Sequence, residues 1–328
     1  MRFGSGDLTY EYVEGWAKFP EGRDLIEVPA VAVDSQDRVF AFTRSEYPVV
    51  VFDRDGNILY SWGQGVFTRA HGLCVGPDDS LYCLDDFDHT LRKCTTDGKV
   101  LMTLGEKGKP SETGYETGNY VSVKHGAPPF NRPTSVALSP QGDLYVTDGY
   151  ATCRVHKFSP DGKLLFSFGD PGSGPGQFRL VHGIAIDPRG ILYVGDRMNS
   201  RIQVFTPAGK YITEWNDVYQ PNDLFIDAQE RIFIAEIGYR ADLPLTGPKP
   251  APEESTYGRV TVRNLKGEIL MKIGGPDPRV PGGFLSPHGL RQDSRGDLYV
   301  GEVSATRSKN QGLNRKEYKI LHKFRRVR

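Results

Sequence analysis

The chain reads as an all-β protein folded into a six-bladed propeller. Three observations predict this. A unit of four short apolar runs recurs six times along the 328 residues. Each copy is punctuated by the same turn chemistry, and no amphipathic helix of useful length interrupts the series. A period of about 40–65 residues with four strands in each copy points to a propeller rather than a solenoid.

The third copy shows the unit most clearly. Thr134-Ser-Val-Ala-Leu138 reads as an inner strand, and Gly142-Asp-Leu-Tyr-Val-Thr-Asp148 as a turn and a second strand ending in an acid. Arg154-Val-His-Lys-Phe158 is a third strand, and Asp161-Gly162 turns the chain into a fourth, Leu164 to Gly169. The copies start near Pro29, His71, Thr134, His182, Asn222 and His288. Matching turn pairs stand at Asp55-Gly56, Asp97-Gly98, Ala208-Gly209 and Lys266-Gly267, each supplying the positive-φ residue a tight hairpin needs. The sixth copy holds three clear strands at most, ending in Tyr318 to Phe324. Leu8 to Trp16 has strand composition, so it is expected to supply the outer strand of the last blade and close the ring. One domain spanning residues 1–328 is the expectation.

Composition narrows the function. Lys plus Arg and Asp plus Glu both number 41, which argues against nucleic acid or an anionic membrane surface as the main partner. No run of about 20 apolar residues exists, and the N-terminus lacks a signal-peptide core. A cytoplasmic protein is therefore expected. Its four cysteines, Cys74, Cys83, Cys94 and Cys153, are then expected to be free thiols, although the first three fall on successive strands and could pair. Oligomeric state is left open.

Every second copy opens on the same phrase: His71-Gly-Leu, His182-Gly-Ile, His288-Gly-Leu. The first strand of each blade lines the channel, so its opening residue belongs to a ring at one mouth. Histidine on blades two, four and six places three imidazoles around the axis at threefold intervals. Three neutral imidazoles with one open position are the ligand set of a catalytic zinc, and other divalent transition metals tolerate it. The remaining histidines, His89, His125, His156 and His322, share no column and are expected on the surface or in loops.

Second strands must end at the same mouth. Their ends carry a recurrent acid, expected to accept hydrogen bonds from nearby backbone or from the imidazoles. Just beyond stand Arg44, Tyr150 and Arg197. Two arginines and a tyrosine beside a metal suit a carboxylate-bearing substrate, with Tyr150 a candidate general acid or base. Rim salt bridges from Arg44 and Arg197 to Asp86 or Asp196 are the alternative. Insertions at Glu106–Phe130, Gly238–Tyr257 and Ser304–Asn314 are expected at this mouth, with the Pro-rich Leu243–Pro252 as a flap.

The repeats resemble NHL repeats. Over essentially all six blades the chain is similar to the peptidyl-α-hydroxyglycine α-amidating lyase family. The resemblance rests on Val31-Ala-Val-Asp34, Phe42-Thr-Arg44, His71-Gly-Leu73, Asp148-Gly-Tyr150, Val181-His182, Asp196-Arg197 and Pro287-His288. It implies zinc on the three histidines, Tyr150 as catalytic base, and Arg44 and Arg197 beside the substrate. The implied reaction cleaves a carbinolamide C–N bond, releasing an amide and glyoxylate from a peptide or small-molecule carboxylate. It further implies a channel calcium on the carbonyls of Val31 and Leu73, but Gly289 stands where the family has a ligating aspartate. Ser286 replaces a family methionine at the substrate pocket, which alters its shape. A metal hydrolase of the lactonase type and a non-catalytic NHL scaffold are the alternatives. The histidine column speaks against the carboxylate ligand set of the first, and the second gives it no purpose.

Overall fold

The computed structural model describes residues 1–20, 22, 24–238 and 256–327. Six antiparallel sheets stand around a channel. Their inner strands are Ala30–Val33, Ala70–Val75, Pro133–Leu138, Val181–Ile186, Pro221–Ile226 and Pro287–Gln292. Each packs on the next, and the sixth returns to the first.

Strand composition follows radial position. The second strand of every blade is buried on both faces, so it reads as a nearly continuous apolar run such as Leu192-Tyr-Val-Gly-Asp196. Outermost strands such as Leu164–Phe168 are partly exposed and tolerate polar residues. The predicted hairpin glycines also seat each blade on its neighbour. A Cβ on Gly98 would fall 2.7 Å from the Trp62 ring, and one on Gly267 would fall 2.8 Å from Trp215. Both glycines hold φ above +90°, so turn geometry and close packing demand the same residue.

The ring closes as the sequence predicts. Tyr10–Val13 pairs antiparallel with Leu321–Arg326, setting Tyr10 against Arg326 and Tyr12 against Phe324. Arg2–Phe3 adds a fifth strand beyond it. All four cysteines are free, with Cys83, Cys94 and Cys153 buried.

Two expectations need correction. His156 and His322 are not surface residues: both are buried on third strands. His156 Nδ1 meets Ser167 Oγ at 2.7 Å, and His322 Nε2 meets Glu302 Oε1 at 2.6 Å. Polar partners inside the blade make their burial tolerable. The blade-six insertion also contains a helix, Ser304–Gln311, which its polar composition does not announce. Residues 239–255, including the expected Pro-rich flap, lie outside the described residues.

Candidate metal centre

Five of the six inner strands slip in register at their opening, those of blades three and five around Thr134 and Asn222 and the three that carry histidine. Register with the second strand slips between Ala70 and Leu73, between Val181 and Ile184, and between Pro287 and Gly289. Each histidine lies inside its slip, freed from the strict side-to-side alternation of a strand. The glycine that follows admits the neighbouring blade. A Cβ on Gly72, Gly183 or Gly289 would lie 2.4, 2.6 or 2.7 Å from the carbonyl oxygen of Thr134, Asn222 or Pro29. Those same oxygens meet Nδ1 of His71, His182 and His288 at 2.8, 2.7 and 2.7 Å. A carbonyl only accepts, so each ring donates from Nδ1 and keeps its Nε2 lone pair free.

The three rings form a nearly equilateral triangle, with centroids 4.9, 5.1 and 4.8 Å apart. Their ligand nitrogens lie within 4.8 Å of one another. A void of about 10 Å³ lies among them, the size for one small occupant. Burial is the largest influence holding all three imidazoles well below the usual histidine range, and the positive charge of Arg44 or Arg197 adds to it. They are neutral at pH 7, the form that binds a metal.

A belt of hydrogen bonds fixes this triangle. The residue before each histidine offers its carbonyl to the preceding blade. Ala70 O accepts from Arg44 Nε at 3.1 Å, Val181 O from Thr134 Oγ1 at 3.2 Å, and Pro287 O from Asn222 Nδ2 at 2.9 Å. With the three Nδ1 contacts, every blade is tied to the next around the channel. Arg44 thereby takes the bonding role that Pro29, with no donor, cannot fill.

Tyr150 reaches the triangle from blade three. A Cβ on Gly149 would fall 1.6 Å from Val181 O, so only glycine lets this turn press against blade four. Tyr150 Oη then lies 3.1 Å from His71 Nε2 and 3.3 Å from His182 Nε2. The Arg132 guanidinium stands 4.8 Å from the centre of its ring, a cation–π distance. A cleft of about 130 Å³ opens above, lined by His288, Tyr150, Arg44, Arg197 and Ser286 among others. It shares His288 and Asn222 with the void below. The helix of blade six contributes Thr306, Arg307 and Asn310, and the 106–130 insertion contributes Tyr120. A larger groove of about 830 Å³ lies against the turns at the other mouth and includes none of the three histidines.

The arginines do not form the alternative rim bridges to Asp86 or Asp196. Arg44 pairs with Glu27 at 2.5 Å, while Asp86 is taken by Arg69 and Arg132 at 2.6 and 2.9 Å. Asp196 pairs with Arg201. Arg197 Nε is buried without a partner. The recurrent acids do not touch the imidazoles of His71, His182 or His288. Instead they clip the segment leading into the inner strand: Asp85 accepts from Thr68 and Arg69 N–H, Asp148 from Asn131, Asp196 from Arg179, Glu236 from Tyr219, and Glu302 from Leu285 and Ser286.

The NHL repeat pattern matches residues 130–158 and 178–205, in blades three and four. NHL repeat-containing protein 3 of Mus musculus is 30% identical over 84% of this chain and 76% of its own length. The chain belongs to this NHL-repeat family. Peptidyl-alpha-hydroxyglycine alpha-amidating lyase 1 of Drosophila melanogaster is 27% identical over 77% of this chain, which spans 46% of that protein. A gluconolactonase from Xanthomonas campestris superposes with a TM-score of 0.56 at 14% identity, covering 91% of this chain and 86% of its own, a likeness of fold alone.

Within this NHL-repeat propeller the three imidazoles fit a zinc-like ion, with three borderline nitrogen donors already neutral and convergent. Calcium does not fit in the same way. Val31 and Leu73 lie on the inner strands of blades one and two, and Leu73 lines the void. Gly289 offers no side-chain oxygen, and a Cβ there would fall 2.5 Å from Ala30 Cα. Sequence reasoning missed Arg69, Arg132 and Arg307. Arg69 and Arg132 stand two residues before His71 and Thr134, the place Ser286 takes before His288. Reading that second column, Glu27, Arg69, Arg132, Leu180, Gln220 and Ser286, would have found those two but not Arg307.

Proposed function

We propose that this chain is a metal-dependent lyase that cleaves the C–N bond of an α-hydroxyglycine-type carbinolamide, giving an amide and glyoxylate. One observation carries the reading: three neutral imidazoles converge, two of them within hydrogen-bond reach of Tyr150 Oη, beneath a cleft bordered by Arg44 and Arg197. The 27% identical amidating lyase of Drosophila supports it.

His71, His182 and His288 would hold the ion, taken to be zinc, which when bound supplies Lewis acidity toward the substrate hydroxyl oxygen. Arg44 and Arg197 would hold the carboxylate and orient the carbinol carbon. Arg44 is fixed for this by Glu27 and Ala70 O, whereas Arg197 keeps a buried Nε–H uncommitted. Tyr150 Oη would accept the hydroxyl proton as the C–O bond becomes a carbonyl and the C–N bond breaks. The departing amide nitrogen gains a proton, so the products balance the substrate. Cleavage adds no water, which separates this reaction from a lactonase.

Metal analysis and one assay test the reading. Purified protein is expected to carry about one equivalent of a divalent transition metal, the stoichiometry of a single three-histidine site. It is expected to release glyoxylate from α-hydroxyhippurate. Metal below about 0.1 equivalent with no binding on zinc addition removes the centre on which the reading depends. Metal without glyoxylate release removes the lyase and leaves a metalloprotein of other chemistry.

A further inference from the structure

Five guanidinium groups line the cleft, from Arg44, Arg69, Arg132, Arg197 and Arg307. Among the described residues, Glu27 engages Arg44, and Asp86 engages both Arg69 and Arg132. Arg197 and Arg307 have no carboxylate within ion-pairing distance among those residues. One bound carboxylate, shared by Arg44 and Arg197, would still leave Arg307 without an anion.

Arg307 is unlike an ordinary surface arginine. It is 8% exposed, and both its Nε and Nη1 are buried with no hydrogen-bond partner. A guanidinium is seldom buried unpaired, because its lost hydration is normally recovered by a bound anion or acceptor. A carboxylate bridges either the Nε side or the paired Nη end of the fork, and here neither edge is fully engaged. Its position is also built. Glu27 Oε2 accepts from Thr306 N–H at 2.8 Å, and Glu27 Oε1 accepts from Thr306 Oγ1 at 2.8 Å and from Arg44. The carboxylate that fixes Arg44 thus fixes the helix turn bearing Arg307.

Resting on the lyase reading, we propose that Arg307 receives a second carboxylate of the substrate, on the acyl portion that departs as the amide. The preferred substrate class is then an N-acyl-α-hydroxyglycine whose acyl group is itself acidic, a dianion rather than a monoanion. Arg307 is a specificity residue in this assignment and takes no part in proton transfer.

Binding of uncleavable analogues tests this apart from turnover. N-succinylglycine and N-butyrylglycine lack the hydroxyl, match in acyl length and differ by one carboxylate. Calorimetry on the metal-loaded protein is expected to show N-succinylglycine bound at least about tenfold tighter, the scale of one added charge-assisted pair. In Arg307→Gln the two affinities should converge to within about twofold while that for N-butyrylglycine is unchanged, and Arg307→Lys should restore part of the preference. Equal affinities in the unaltered protein overturn the proposal, and so does an Arg307→Gln variant weakened equally for both ligands. If Arg307→Gln does not fold, the comparison in the unaltered protein decides alone. A dianion preference without glyoxylate release from either α-hydroxy counterpart would keep the Arg307 subsite and discard the lyase.

Discussion

Each of the three axial imidazoles has Nδ1 committed to a neighbouring blade's carbonyl and an Nε2 lone pair left to accept, and that asymmetry sets what single residues can do. Removing His182 would discard one metal donor together with its bond to Asn222 O. His182→Ala should therefore weaken metal binding by more than the roughly 10–100-fold cost of disturbing an outer-shell partner. Competition with a chromogenic chelator measures it. Tyr150 differs, because it hydrogen-bonds His71 and His182 through Oη, while its ring packs edge-on against both imidazoles, a contact phenylalanine would keep. Tyr150→Phe should retain the metal yet lose about 10²–10⁴ in kcat, the usual worth of a positioned acid or base. Unchanged turnover would remove Tyr150 from the reaction. These residues were legible because each departs from the norm of a repeated column. Arg307 was not, since it stands in an insertion, outside the columns that the repeats share.

At the scale of the element, the His-Gly phrase uses a slip in register that blades three and five share: the slip releases the opening residue, and the glycine admits the next blade's carbonyl. Gly183 shows the constraint best. A Cβ there would meet both Asn222 O and Leu224 Cδ1 at 2.6 Å. Gly183→Ala should cost about 1–3 kcal/mol of stability, as overpacking does, and should weaken metal binding by displacing the acceptor of His182. Denaturant unfolding with a metal titration checks both, and an unperturbed variant would show that the blades part freely. Strands and hairpins were legible because period-2 runs and Xaa-Gly pairs report local geometry directly. The helix Ser304–Gln311 was hidden for a physical reason. Its polar run has no apolar stripe, and it is anchored by Glu27, a residue some 279 positions away. The recurrent acids were visible as a column, yet their backbone partners were not, because those contacts form only once the blade is folded.

Across the whole molecule, two properties belong to the closed ring. The first is closure itself, legible because the sixth copy lacked a strand and the N-terminal segment had one to spare. Deleting residues 1–13 would expose the edge of Leu321–Arg326, so the truncated chain should lose cooperative unfolding and associate through that edge, which light scattering would detect. The second is the acid response of the channel. Burial leads the causes that hold His71, His182 and His288 well below the ordinary value of 6.5. In the unfolded chain each would protonate near pH 6.5, while the folded ring keeps them neutral to lower pH. The unfolded state therefore binds more protons below that point, and stability rises with pH up to about 6.5 and levels off above it. For metal-free protein the acid slope should approach about 1.4 kcal/mol per pH unit for each of these histidines, until the folded state also protonates. His288→Gln should lower that slope by about one histidine's share. Unfolding free energies measured between about pH 8 and 5.5, a window spanning the histidine range, decide the matter. A flat profile would mean that the rings are hydrated and that the channel is open to water.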